Sequence, residues 1–381
     1  MTKRPALPAL TGLRFVAAAQ VVGFHVHAIV PAVGEMPLLS FLGAGYSGVS
    51  LFFVLSGFVL AYNYLTPDRV GFGDVRDFLV ARFARVYAVY VVGIVLALPI
   101  FIRDLQHAGG IGSMLRDGIP ILITNLTLTQ SWIPAYACRL NCPGWSLSTE
   151  AFFYLVFPFA GALCCRESKR GLFATIAGGA ALTYAFVYTY VALDADAVGV
   201  ATAATEATWL NVLKFNPLLR LPEFIVGIAL GVLFLRAPTL LGQRAAPLSV
   251  IAVAVIGIVL SLHERIPYAL MHNGLLLPAY CLIIFSLASG GGRLAHWLGT
   301  PVLHVLGEAS FALYLLHVSL LVYVGKAFSL VGLSMTQTPS LVFIYLAVAQ
   351  LVSIAVLRKI EEPARRAIRR RFSAPGRIPS E

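Results

Sequence analysis

Residues 10–25, LTGLRFVAAAQVVGFH, form an apolar run whose only ionisable side chains are Arg14 near its start and His25 at its end. Carried on to residue 31, the run reaches the roughly 20 residues that a helix needs to cross a bilayer. Lipid offers the backbone no hydrogen-bond partners, so such a segment must satisfy itself as a helix. A helix rises ~1.5 Å and turns ~100° per residue, which sets Arg14 and His25 ~16 Å apart in depth and within ~20° of one face. Ala18, Val21 and Val22 lie between them on that face, with Ala17 and Ala19 alongside. Side chains that small leave room for a thin ligand or for a close helix.

The rest of the chain repeats this character. Of its 381 residues 59% are hydrophobic and 12% charged, about half the charge of an ordinary soluble domain. The composition predicts an all-α polytopic membrane protein. Ten spans are expected, near residues 10–31, 47–65, 79–102, 146–163, 171–193, 217–235, 247–263, 268–288, 301–324 and 338–357. The first apolar run is too long for the ~7–15-residue core of a signal peptide, so the first helix is expected to be retained. With the N-terminus cytoplasmic, 21 of the 28 Lys and Arg fall inside, the exceptions being Arg103, Arg116, Arg139, Lys214, Arg220, Arg265 and Lys326. That bias follows the positive-inside rule and predicts both termini in the cytoplasm. A transmembrane domain over 1–357 and a basic cytoplasmic tail over 358–381 follow. The net charge of +11 is explained by membrane orientation and anionic headgroups rather than by nucleic acid. Cys138 and Cys142 lie in a long outside loop, where an oxidising compartment would allow a disulfide. No second ligand cluster accompanies them, so no metal is expected.

The same depth arithmetic sorts the other intramembrane ionisable groups. Arg82 and Arg85, in RFARVYAVY, open the third span at the level of Arg14. Glu150 in WSLSTEAFFYLVFP and Glu223 in RLPEFIVG follow soon after their spans enter from outside, and His317 in SFALYLLHVSLL comes late in a span running outward. All three share the depth of His25. Such groups cost roughly 2.5–3.5 kcal/mol each on insertion scales and face a cavity or a partner. Taken singly, each also fits a structural role: the arginines snorkelling to headgroups, His317 satisfied in a core, Glu223 capping a helix. Together they indicate a polar chamber.

At these residues the sequence resembles the membrane-bound acyltransferase-3 family of bacterial O-acyltransferases. The matching stretches are LTGLRFVAAAQVVGFH, GVSLFFVLSGFVLAYN, RFARVYAVY, WSLSTEAFFYLVFP, RLPEFIVGIALG, SFALYLLHVSLL and the late EEPARR. Their order and spacing cover nearly the whole chain. The resemblance implies that His25 is the essential histidine, that Arg14, Arg82 and Arg85 belong to the functional set, and that Glu150 is the acidic residue of the tryptophan-serine-leucine-serine motif. One departure stands out: where many members have aspartate in GVDLFF, this chain has Ser50. No carboxylate from the second span is then available to His25, and Glu150 is the candidate to orient it unless neutral hydrogen bonds do so.

The expected reaction is transfer of an acyl group, acetyl by family frequency, from cytoplasmic acyl-CoA to a hydroxyl of an envelope carbohydrate such as an exopolysaccharide, lipopolysaccharide or peptidoglycan, or of a glycosylated metabolite. A bacterial inner-membrane location follows. Guanidinium groups bind phosphates in a bidentate manner, so Arg14, Arg82 and Arg85 are assigned to the CoA head. The pantetheine arm would run along the alanine-rich face of the first helix, through a tunnel, to His25. His25 serves either as general base or as acylated intermediate. Arg220, Glu223, Tyr314 and His317 are assigned to the acceptor. A glycolipid or sugar carrier is the alternative, disfavoured because no related halves or matched broken helices are visible. A scaffold role would leave Arg14, His25, Arg82 and Arg85 tolerant of alanine.

Overall fold

The computed structural model describes residues 4–30, 33, 37–66 and 75–372. Among them 82% are helical and none is in a strand. Ten helical segments are long and apolar enough to cross a membrane: α1 (Pro8–Ile29), α2 (Leu39–Tyr64), α3 (Val75–Leu126), α4 (Gly144–Arg166), α5 (Lys169–Leu193), α6 (Thr208–Arg236), α7 (Gly242–Ser261), α8 (Tyr268–Ala288), α9 (Pro301–Leu330) and α10 (Leu341–Ile368). The chain is a multi-pass membrane protein.

Burial sorts the helices into an inner and an outer set. In α2, 83% of the most apolar window is buried, against 11% in α5. Leu182, Tyr188 and Val191 on α5, and Val250, Ile251 and Ile258 on α7, point outward, as apolar side chains do where lipid replaces water. The tightest internal pairing joins α2 to α6. A Cβ on Gly57 would collide with the carbonyl of Phe224, and one on Gly231 would come within 2.7 Å of the Ala61 Cβ. Glycine here lets two backbones touch, which is how helices gain contact without a hydrophobic driving force. Helix α1 packs on α9 in the same manner, a Cβ on Gly307 colliding with the Thr11 carbonyl, and Ala17 and Ala18 of α1 are fully buried.

Three segments depart from the simple spans. The segment from 103 onward, expected as a loop, stays helical through Leu126, with a break at Gly109 and Gly110. The chain doubles back there: Ser113 Oγ donates to the Leu105 carbonyl at 2.7 Å. Ile111, Leu115, Ile119 and Ile123 remain exposed, an apolar strip hidden from a window average by the glycines and charges among them. Helix α6 starts at Thr208 and turns at Asn216–Pro217, where the Asn216 side chain caps the second part by accepting from Leu218 N. Helix α8 is interrupted after His272 and resumes at Leu277, with Gly274 at φ +80°.

Both ends of the described chain lie at one rim. Arg4 donates to the carbonyls of Tyr62 and Leu65 at the close of α2, and Tyr62 Oη donates to Pro5 O at 2.9 Å. At the other terminus, Glu361 sits in the electrostatic neighbourhood of Arg14 and Arg85, and the helix Glu362–Phe372 packs against α3.

Candidate active site

Two cavities inside the bundle hold Arg14 and His25 of α1. The first, about 110 Å³, collects the arginines: Arg14 from α1 with Arg82 and Arg85 from α3, one turn apart on one face. Its walls come from α2 (Phe52, Ser56, Val59), α4 (Leu147, Glu150, Tyr154) and α9 (Phe311, Tyr314). Arg82 is buried, donates from Nη2 to Tyr64 Oη at 2.9 Å, and has its guanidinium 5.3 Å from that ring's centroid. Arg14 and Arg85 are half-buried and make no hydrogen bond or salt bridge among the described residues. Glu150 belongs to this cavity: its Oε1 accepts from Ser56 Oγ at 2.7 Å. The expectation that Glu150 orients His25 is corrected, because its carboxylate faces the arginine chamber.

The second cavity, about 140 Å³, holds His25. It opens among the outer segments, with Cys138, Cys142, Pro143, Ala203 and Glu206 in its lining. Cys138 and Cys142 are disulfide-bonded to each other and so form part of its wall. Its floor and sides are aromatic: Tyr46 stacks on His272 with centroids 5.3 Å apart and planes 15° off parallel, and meets Tyr268 edge-on at 4.9 Å. Trp145 and Phe215 complete the wall, 4.9 Å apart.

Hydrogen bonding fixes which nitrogen of His25 is free. His317 is fully buried, and its Nδ1 lies 2.7 Å from the Tyr314 carbonyl. A carbonyl can only accept, so Nδ1 of His317 carries the proton and neutral His317 offers a lone pair at Nε2. That Nε2 is 3.1 Å from Nδ1 of His25, whose other neighbour is the Val21 carbonyl at 3.0 Å. Both neighbours are acceptors, so Nδ1 of His25 is the protonated nitrogen and Nε2 bears the lone pair. His317, assigned to the acceptor by sequence, stands against His25 itself.

Tyr314 lines both cavities and, among the described residues, is the only one they share. Its Oη lies 2.9 Å from Ser146 Oγ, its ring meets Phe52 edge-on at 5.6 Å, and it is 6% exposed. The expected continuous tunnel is therefore two chambers with one tyrosine between them. Of the expected path along α1, Arg14 lines the first cavity and Val21 and His25 the second, while Ala17 and Ala18 are fully buried between them.

Arg220 and Glu223 line neither cavity, which corrects their assignment to the acceptor. They form a buried ion pair, Nη2 to Oε2 at 3.0 Å, with side chains 1% and 0% exposed. Ser50 bridges it, donating to Glu223 Oε1 at 3.0 Å and accepting from Arg220 at 2.9 Å. Arg220 Nη1 also donates to the His272 carbonyl at 3.1 Å and to the Asn273 side chain. The pair thus answers the backbone polarity exposed where α8 breaks. Ser50, in the position of the family aspartate, faces this knot and not His25.

Sequence reasoning overlooked Lys214 and Asn211 of the outer cavity and gave its aromatic walls no role. A lysine deep in an apolar window on the outer side runs against the charge bias of the chain, and that was the available signal. Among the described residues no group of three or more His, Cys, Asp or Glu is arranged to hold a metal.

Comparison with known proteins gives a coherent set. A family described as an acyltransferase domain matches residues 7–358. The acyltransferase MdmB of Streptomyces mycarofaciens is 31% identical over 323 residues, covering 83% of this chain and 79% of that protein. The exopolysaccharide production protein ExoZ of Rhizobium meliloti is 26% identical, over 87% of this chain and 93% of its own length. The peptidoglycan O-acetyltransferase OatA of Listeria monocytogenes is 26% identical over 41% of this chain, a region that is 24% of that larger protein. No solved structure matches.

Proposed function

The chain belongs to the acyltransferase family whose domain spans residues 7–358, and from that membership and the paired cavities we propose a membrane O-acyltransferase of the bacterial inner membrane. It takes an acyl group, acetyl in the simplest case, from cytoplasmic acyl-CoA and delivers it to a hydroxyl of an envelope carbohydrate or glycosylated metabolite. The observation that carries this reading is the meeting of an arginine chamber and a histidine chamber at Tyr314.

Each part has a physical task. Arg14 and Arg85, which make no hydrogen bond or salt bridge among the described residues, and Arg82, braced by Tyr64, bind the phosphates of the CoA head at the inner rim. The ~16 Å of depth from Arg14 to His25 matches a long, thin arm between head and thioester. His25 lies in the outer chamber, on the acceptor's side of Tyr314, which favours a general base over an acylated carrier. Its Nε2 lone pair takes the proton from the acceptor hydroxyl, the oxygen attacks the thioester carbonyl, the C–S bond breaks, and the proton passes to the departing CoA thiolate. The disulfide in the outer wall suits an oxidising compartment on that side.

The test uses inverted vesicles carrying the protein, with labelled acetyl-CoA supplied outside and the acceptor within. Acylated product and free CoA are expected, and His25→Ala should cut transfer by roughly 10²–10⁴-fold while inserting normally. Acceptor movement without thioester consumption would instead identify a carrier.

A further inference from the structure

The outer cavity contains a positive charge that no described residue hydrogen-bonds or pairs with at salt-bridge distance. Lys214, at the end of the helix Thr208–Phe215, is 5% exposed and lines the same cavity as His25. Among the described residues it forms no hydrogen bond and no salt bridge. Its ammonium sits 4.8 Å from the centroid of Phe215 and 5.9 Å from that of Tyr268. Ring faces attract a cation but restore only part of the hydration it loses on burial. The nearby carboxylates do not supply the rest. Glu206 lines the cavity but is exposed and makes its contact with Asn211, 3.5 Å from Nδ2, and Glu223 is held by Arg220 and Ser50.

A second polar group is left open beside it. Asn211 Oδ1 is buried without a hydrogen-bond partner in the same lining. An ammonium and an amide carbonyl, both without a hydrogen-bond partner among the described residues, thus share a chamber lined by the aromatic rings of Tyr46, His272 and Trp145. The chamber has room for on the order of ten waters. Stacked rings with a few convergent polar groups form the usual pattern of a small-ligand pocket.

We propose that this cavity is an acceptor subsite for a saccharide bearing an oxyanion, either the carboxylate of a uronic acid or a phosphate ester. Lys214 pairs with the oxyanion, Asn211 accepts from a ring hydroxyl, the aromatic wall takes the apolar face of the ring, and another hydroxyl is left to Nε2 of His25. The proposal rests on the acyl-transfer reading for what happens next, but the binding itself does not.

The experiment measures binding by calorimetry to the full chain in phosphatidylcholine nanodiscs, with methyl glucuronide, methyl glucoside 6-phosphate and methyl glucoside as probes and no acyl donor present. At least one charged sugar should bind roughly tenfold or more tightly than the neutral glucoside, the effect of one charge-assisted hydrogen bond. Which one does so tells carboxylate from phosphate. Lys214→Met should erase the preference and Lys214→Arg should keep most of it, with an unchanged thermal unfolding midpoint as the check on folding. Equal binding of all three sugars, or a preference that survives Lys214→Met in folded protein, overturns the proposal. So does its loss on adding phosphatidylglycerol to the nanodiscs, which would make a lipid headgroup the occupant. Failure here leaves acyl transfer standing, whereas Lys214-dependent sugar binding without any acyl transfer would remove that reading alone.

Discussion

A single ring nitrogen decides whether His25 can act as a base. Its Nδ1 proton is directed at Val21 O and at Nε2 of His317, which leaves Nε2 for the acceptor. His317 is therefore a positioning residue. His317→Ala removes one of two acceptors and lets the imidazole turn and exchange tautomers, so kcat should fall by roughly 10–100-fold while the KM for acetyl-CoA stays put. His317→Gln, which keeps an acceptor oxygen, should recover part of the loss. A KM change without a kcat change would contradict the positioning role. Depth along a helix is readable from residue number, and so His25 and His317 were legible as level with each other. Azimuth between separate helices is not, and so their direct contact was invisible and Glu150, at a similar depth, was turned toward the wrong chamber.

At the scale of elements, apolar length announces a span, while the interruptions inside spans stay hidden. Ten helices follow from the requirement that backbone in lipid satisfy itself. The break in α8 could not be read from the sequence YALMHNGLLLPAY alone, because its stabilising partner, Arg220, lies 52 positions upstream of the His272 carbonyl it serves. Arg220 and Glu223 themselves stand three residues apart on one helix, a spacing that permits a pair, but the groups that enclose them, Ser50, His272 and Asn273, come from elsewhere in the bundle, and so the sequence shows two buried charges without the structural task they share. We expect Arg220→Met to leave the Glu223 carboxylate unpaired and to cost about 3–5 kcal/mol. Ser50→Ala, which removes only the bridging hydroxyl, should cost about 1–3 kcal/mol. Thermal unfolding in detergent should rank the two in that order, and the reverse order would mean that the ion pair is not what stabilises the break.

At the scale of the molecule the bundle holds two chambers back to back, and for the proposed reaction what separates them must hold water out as well as let an acyl group through. An activated thioester exposed to water is wasted by hydrolysis, so the partition has to be closed when no acceptor is present. Tyr314, which lines both chambers, is the candidate for that partition, with its ring against Phe52 and its Oη hydrogen-bonded with Ser146. The depth of ionisable groups along their spans gave the two levels of the bundle, but a wall one side chain thick is a property of packing between α2, α4 and α9 that no periodicity encodes. Tyr314→Ala should fuse the chambers: CoA release from acetyl-CoA in inverted vesicles lacking acceptor should rise several-fold, while acceptor-dependent transfer falls. Tyr314→Phe keeps the ring and loses only the hydrogen bond with Ser146, so its leak should lie much closer to that of the parent. If Tyr314→Ala releases CoA no faster than the parent, the tyrosine is not the barrier, and a passage elsewhere must join the arginines to His25.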